Sequence, residues 1–306
     1  MTNSERTTLT LGPLLYNWSP EKAHDFYLRV ADEVDVDRVY LGEVVCSKRQ
    51  PFHEPYWAQA VERLERAGKQ VVFSSLALVT TRREVRALSE LADPEGEHVV
   101  ELNDLTALEG WRGGAFRIGP YINVYNESSL RFFESLGATG ATLPFELTAK
   151  SLAQIAASTS MEIEVQAFGR LPLAISARCY HARAYRLHKD NCRFVCADHS
   201  DGMVVKTLDG APFLTVNGTQ TQSLTCVNLL EDLAALAAMG IRTYRLSPQD
   251  IDMADVAATF RSVATGSLEA RAGLAHLGAC FPQFVFSNGY FHGLEGRVRT
   301  PAQEAI

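Results

Sequence analysis

Long apolar runs are missing from this chain of 306 residues. None reaches the roughly 18 residues that a bilayer-crossing helix needs, so nothing in it reads as a membrane span. The first residues, Met1 to Arg6, lack the apolar core of a secretory leader, and the expected location is the cytoplasm. Positive charge is also short: the net charge is −7, which leaves no electrostatic footprint for nucleic acid. No G-x-G-x-x-G and no phosphate loop occurs, so the usual nucleotide sites are absent. The 8 histidines show no H-x-x-x-H pair, and no metalloprotease helix can be drawn. Cysteine is sparse, 6 in all, and in a chain expected to stay in a reducing compartment these read as thiols, not a disulfide framework.

Those few cysteines are unevenly placed. Three of them, Cys179, Cys192 and Cys196, fall in one stretch with the spacing C-x12-C-x3-C. Short spacings let a single turn aim two sulfurs at one centre, and four sulfurs are the usual complement of an iron–sulfur cube or a structural zinc site. The surrounding residues are polar and charged (Arg183, Arg186, Lys189, Asp190, Asn191, Arg193), which plain core packing explains poorly. A fourth sulfur must come from Cys46, Cys226 or Cys280. From spacing alone, iron–sulfur and zinc stay equally open. His181 and His199 flank the cysteines as alternative ligands, but solvated loop histidines are the simpler expectation.

The rest of the chain alternates short apolar runs with amphipathic ones. Strands are predicted over Leu9–Trp18, Arg38–Leu41, Gln70–Leu76, His98–Leu102, Phe116–Val124, Ala141–Leu147, Glu162–Phe168 and Ile241–Leu246. Most are followed by a helix: one begins at Ser19-Pro20-Glu21, with Ser19 as N-cap and Pro20 at the first helical position. Others are expected over Pro55–Ala67 and Met253–Ala264. This rhythm predicts a single α/β domain over 1–306, a (β/α)8 TIM-like barrel, with an open doubly wound sheet as the alternative. A cysteine-bearing insertion after strand seven, residues 169–228, includes a hairpin, Met203–Thr207 and Pro212–Val216, turning at Leu208-Asp209-Gly210. Residues 266–306 read as an irregular C-terminal extension.

In such a barrel, polar residues at strand carboxyl ends face the mouth. Glu43, Glu101, Asp104, Asn123, Asn126 and Glu146 are placed there, and Asp104 and Asn126 read as helix caps. Glu43 and Glu146 are the catalytic candidates, the bland reading of Glu146 being a cap of the following helix. Glu164 lies mid-strand and must be paired if ionised. Arg178, next to Cys179, is the favoured partner, with Arg245 the alternative. Cys46 follows strand two on the same face as the insertion and is the fourth ligand expected. Cys226 and Cys280 read as ordinary thiols.

Several local motifs are familiar together: Leu11-Gly12-Pro13, Tyr40-Leu41-Gly42-Glu43 with Cys46-Ser47-Lys48-Arg49, Ser75-Leu76-Ala77-Leu78, Pro144-Phe145-Glu146-Leu147, Gly169-Arg170-Leu171-Pro172-Leu173-Ala174 with Ser176-Ala177-Arg178-Cys179, Asn217-Gly218-Thr219-Gln220-Thr221, and Arg245-Leu246-Ser247-Pro248-Gln249. In this combination the chain from about Leu11 to Pro248 resembles ubiquinone-biosynthesis members of the collagenase-like U-type peptidase family. The resemblance implies a [4Fe-4S] cluster on Cys46, Cys179, Cys192 and Cys196. It implies a heterodimer with the related subunit UbiU, which carries its own cluster, and a part in O2-independent hydroxylation of the ubiquinone ring, with prephenate as the family's candidate oxygen donor. It implies a UbiT-like lipid-binding accessory protein that presents the prenylated quinone precursor. The residues leave two other readings, a non-catalytic cluster-bearing scaffold and a peptidase-like hydrolase, though no nucleophile–base pair supports the latter.

Overall fold

The structure is a computed structural model, and it describes residues 6–91, 98–109, 111 and 114–301. In chain order the strands are β1 (Thr8–Leu11), β2 (Arg38–Leu41), β3 (Gln70–Ser74), β4 (Val99–Leu102), β5 (Phe116–Ile118), β6 (Ala138–Thr142), β7 (Glu162–Ile175), β8 (Met203–Lys206), β9 (Pro212–Asn217), β10 (Gln220–Asn228), β11 (Thr243–Leu246) and β12 (Phe286–Ser287). β1 to β7 pair side by side in parallel, β11 joins β1, and pairing of β11 with β7 closes the ring. The result is the expected (β/α)8 barrel.

The helices α1 (Pro20–Glu33), α2 (Gln50–Arg66), α3 (Arg82–Leu91), α4 (Thr106–Glu109), α5 (Glu127–Ser135) and α6 (Ala149–Ala156) follow the first six strands. α7 (Tyr180–Ala184) lies in the cysteine region, and α8 (Leu233–Ala238), α9 (Met253–Ala264) and α10 (Ala270–Cys280) follow it. Ser19 caps α1 by accepting the N–H of Lys22, with Pro20 in the first turn, and Asn126 caps α5. Asp104 accepts from Thr106 N and Val79 N at the entry to α4. α2 starts earlier than expected, at Gln50, with Pro51 in its first turn, where the N–H groups have no helical partner anyway. No described helix is long and apolar enough to cross a membrane.

Strand alternation decides what fills the barrel. Leu9, Leu11, Val39, Leu41, Val71, Val100, Leu102, Phe116, Ile118, Ile163, Val165, Tyr244 and Leu246 belong to the apolar core. The residues between them point the other way and bond to one another across the lumen. Barrel interiors usually stack branched apolar side chains, but this one holds an ion-pair network. Arg245 Nε donates to Glu164 Oε1 at 2.5 Å, and its Nη2 reaches Glu101 Oε1 and Thr142 Oγ1. Arg117 Nη2 bridges Glu162 and Glu164, Arg38 pairs with Glu162, and Tyr40 and Thr10 donate to Glu164. Gly140 leaves room for this, since a Cβ there would lie 2.5 Å from Arg117 Nη1. Burial alone would raise the Glu164 pKa, but Arg245, Arg117 and Arg38 outweigh it and hold the group down at about 2. The favoured partner of Glu164 is therefore corrected: Arg178 is exposed, its backbone N–H bound to Ser176 Oγ, and Arg245 takes the role.

The excursion after the barrel's seventh strand also differs from expectation. β7 does not stop at Phe168 but runs on for 14 residues, through Gly169 at φ +112, where a Cβ would sit 2.6 Å from the Cβ of Ser247. Its outer half pairs antiparallel with β10, and β10 with β9, and β9 with β8. The expected β8–β9 hairpin is present, and β10 is an addition to it. The C-terminal extension is less irregular than its sequence suggests. α10 is capped by Glu269, and its Gly273 lets it press onto Leu230, Thr259 and Val263. That contact is tertiary, which is why glycines that weaken the local helical signal do not prevent the helix.

Candidate metal centre

Three segments converge above the barrel's carboxyl end. The first is the loop after β2. Gly42, at φ +127 and pressed against Ser74 O, turns the chain out of the strand. Glu43 then folds back, and its Oε1 accepts the N–H groups of Val45 at 2.8 Å and Cys46 at 2.9 Å. Burial pushes this carboxyl's pKa up, while Arg49 and the two N–H groups oppose the shift. Glu43 thus shapes the loop that presents Cys46.

The second segment begins α7. Cys179 occupies the N-cap, and its Sγ accepts from Ala182 N at 3.3 Å. The third carries Cys192 and Cys196, separated by Arg193 and Phe194 in consecutive left-handed conformations at φ 51 and 54. Those two backbone reversals curl the C-x3-C stretch so that both sulfurs face inward. Asn17 Nδ2 donates to Cys196 Sγ at 3.2 Å.

One asparagine ties the segments together. Asn217, at the tip of β9, donates to the carbonyls of Cys196 and His199 at 3.0 and 2.8 Å. Its Oδ1 accepts from Arg49 Nη2 at 2.7 Å and from Asn17 N at 3.2 Å. Arg49 is fully buried beside Cys46 and Cys196, and its Nε has no partner. Cys46, Cys179, Cys192 and Cys196 all line one recess of about 340 Å³, partly open to solvent, together with Lys48, Arg49, Lys189 and Gly218.

The donor set fits a thiolate-held group. All four cysteines are free. Two sulfurs already accept N–H bonds, and three cationic side chains line the same recess, an arrangement that favours net negative charge there. Burial pushes the thiol pKa values of Cys46 and Cys179 up, with Arg49 pulling both back, so a metal would have to displace those protons. No three of the four sulfurs lie within 4.8 Å of one another. Thiolates round a single tetrahedral zinc would stand about 3.8 Å apart, given bonds of about 2.3 Å. The four sulfurs therefore do not stand at the spacing of a single preformed tetrahedral zinc site.

The other sequence-predicted residues are scattered. Cys226 is fully buried against the barrel, its thiol pushed up to about 12 by burial, and Cys280 is exposed on α10. His181 is not a solvated loop residue: it is completely buried, stacked on Tyr185 and 5.0 Å from His199, and burial holds its pKa down at about 4. Glu146 lies on the rim of the barrel mouth, in a recess of about 640 Å³ with Tyr121, Asn123, Phe145 and Leu173. Tyr125 donates its hydroxyl to Glu146, and burial together with Glu146 pushes that phenol up to about 12. Glu146 does not cap the next helix; Thr148 does. Glu43 and Glu146 line different recesses. Leu15, Val44 and Val45 form a small apolar cluster between them, touching Cys46 as well as Ala77 and Tyr121 of the mouth. The roles of Asn17, Arg49 and Asn217 were not foreseen, although a buried arginine three residues after a cysteine and an Asn-Gly turn are legible signals.

A closed parallel barrel with four thiols gathered over its carboxyl end defines a (β/α)8-barrel protein with a cysteine-lined recess. Residues 19–293 match the model of peptidase family U32, and the chain belongs to that family. Among solved structures, it is similar to a tryptophan synthase complex from Pyrococcus furiosus (12% identity, 90% of this chain and 98% of that one, TM-score 0.41). Tryptophan synthase from Mycobacterium tuberculosis (11% identity, 92% and 91%, TM-score 0.37) and dihydrodipicolinate synthase from Agrobacterium tumefaciens (14% identity, 92% and 84%, TM-score 0.37) are similar in the same way.

Proposed function

We propose that this chain is a UbiV-type subunit that holds a [4Fe-4S] cluster on Cys46, Cys179, Cys192 and Cys196. In this reading it pairs with UbiU in the cytoplasm and serves the O2-independent hydroxylation of the ubiquinone ring, with prephenate as oxygen donor. The observation that carries it is the meeting of Cys46, from the loop after β2, with three cysteines more than 100 residues later on a single recess. When bound, such a cluster supplies one-electron transfer, and four thiolate ligands leave no open iron for Lewis-acid work.

The chain's own residues do the rest. Asn17 and Ala182 orient sulfurs through N–H bonds, Glu43 sets the Cys46 loop, and Arg49 with Asn217 locks the three segments. Leu15, Val44 and Val45 exclude water between the cysteines and the mouth. Glu146, with the Tyr125 hydroxyl on it, is positioned to orient substrate or accept a proton at the rim. In this reading a UbiT-like lipid-binding protein presents the prenylated precursor; no described helix is long and apolar enough to cross a membrane.

The test is anaerobic copurification with UbiU, iron analysis, and turnover on a demethoxylated quinone precursor. Cys46→Ala, Cys179→Ala, Cys192→Ala and Cys196→Ala each lose iron and visible colour, while Cys226→Ala and Cys280→Ala keep both. Full iron in Cys46→Ala removes the four-ligand assignment. Full turnover in a variant stripped of iron makes the cluster a scaffold element and not a redox one.

A further inference from the structure

A second group of metal-type donors lies away from the cysteine recess, where α9 meets α10. Asp255 is in the first turn of α9, and His276 and Cys280 are one turn apart on α10, so they share one side of that helix. Gly273 brings the helices together, since a Cβ there would lie only 2.9 Å from Leu230 and 3.1 Å from Val263. One ligand atom from each of Asp255, His276 and Cys280 falls within 4.8 Å of the others, the one such triad of Cys, His or acidic side chains among the described residues.

The distances come close to those of a tetrahedral ion. Cys280 Sγ is 3.7 Å from His276 Nε2, which is 2.8 Å from Asp255 Oδ1. With zinc bonds of about 2.0–2.3 Å, the sulfur and nitrogen would stand about 3.6 Å apart, and nitrogen and oxygen about 3.4 Å. The sulfur stands at a suitable distance from Nε2 but lies beside the ring, 3.8 Å from Nδ1 as well, so the His276 ring has to turn to aim Nε2 at an ion between them. The Asp255–His276 hydrogen bond has to open by about half an ångström, which these surface side chains can do by small rotations. Among the described residues, the Asp255 carboxylate has no Lys or Arg partner, its one ion-pair contact being His276. A thiolate, an imidazole and one carboxylate together select a borderline cation of the zinc class over calcium or magnesium.

We propose that Asp255, His276 and Cys280 bind one zinc-class divalent cation, with water in the fourth position, independently of the cysteine recess. On binding, the Cys280 thiol gives its proton to solvent, the His276 ring carries its one proton on Nδ1 so that Nε2 is free to ligate, and the Asp255–His276 hydrogen bond is replaced by two metal bonds. The ion then cross-links α9 to the C-terminal extension.

The experiment is an anaerobic titration of the full chain with Co2+ and then Zn2+, comparing wild type with His276→Gln and Cys280→Ser. Both substitutions are at exposed positions, so the fold is retained, and the thiols of the recess are common to all three proteins. The expected result is one equivalent of Co2+ fewer in each variant, with loss of the matching share of sulfur-to-cobalt charge-transfer absorption. Zn2+ should also raise the melting temperature of the wild type more than that of either variant. Equal Co2+ uptake and equal Zn2+ stabilisation in all three overturn the proposal, and that result leaves the iron content of the recess cysteines unaffected.

Discussion

Arg49 reaches across from the loop after β2 to Asn217 at the tip of β9, its Nη2 donating to Oδ1 at 2.7 Å. A fully buried guanidinium is costly to hold without partners, so this contact marks where the two halves of the centre are joined. The same asparagine also holds the carbonyls of Cys196 and His199. Asn217→Ala strands both carbonyls and one arm of Arg49 at once. It should destabilise the fold by at least about 3 kcal/mol, at about 1–3 kcal/mol for each of the three buried groups left unpaired. Urea unfolding measures the loss, and iron analysis of anaerobically prepared protein should show a matching deficit.

Gly218 makes that contact possible. It sits at φ +70, and a Cβ would fall 2.3 Å from Arg49 Nη2. Gly218→Ala should destabilise the protein by about 1–3 kcal/mol from backbone strain and displacement of the arginine. The check is a thermal melt against Gly210→Ala, whose Cβ meets nothing within 4 Å at a comparable φ of +88, and which should lose less.

Glu164→Gln removes the central anion of the barrel. Breaking a buried, hydrogen-bonded pair destabilises by about 3–5 kcal/mol. The effect carries a pH signature. The folded-state pKa is depressed, to about 2 from an ordinary value of 4.5, so the stabilisation is complete above pH 4.5 and fades as pH falls toward 2. Denaturant midpoints of wild type and variant should therefore differ most at neutral pH and draw together below pH 4.5. A constant gap across that range would mean the carboxylate is not ionised in the native barrel.

Glu146 is expected to behave in the opposite way. It is exposed, and its contact is the Tyr125 hydroxyl at the rim. Glu146→Gln and Tyr125→Phe should change stability by no more than about 0.5 kcal/mol, as surface substitutions do. Iron content should be retained while turnover of the assembled complex falls. Unchanged turnover in Glu146→Gln would take that residue out of the chemistry.

The barrel was legible because each stave is a short apolar run bounded by polar residues, and because Ser19-Pro20 and Asn126 carry their helix starts locally. Met253–Ala264 needed nothing beyond its own periodicity. The cysteines were legible by spacing, and Cys46 by its position after a strand. What the sequence hid was partnership. Glu101, Arg117, Glu164 and Arg245 each sit in a strand between apolar neighbours, which signals burial but not which charge meets which. The choice of Arg178 over Arg245 rested on its place beside Cys179, while closure of the ring sets β11 next to β7 and so brings Arg245 to Glu164 from far along the chain. His181 was hidden for the same reason: its burial comes from Tyr185, His199 and the β9 strand folding over it, not from its own neighbours in a charged loop.

β7 is a single strand whose inner half is a stave and whose outer half carries the sheet over the cysteines. No hinge separates the two, and Gly169, the residue at the junction, is wedged against Ser247. The sheet extension and the barrel should therefore open as one cooperative unit, with amide protons from Arg170 to Leu171 exchanging through the same global event as those of Glu164 and Val165 and not through a local lifting of a lid. The recess beside that extension thus shares the rigidity of the whole ring.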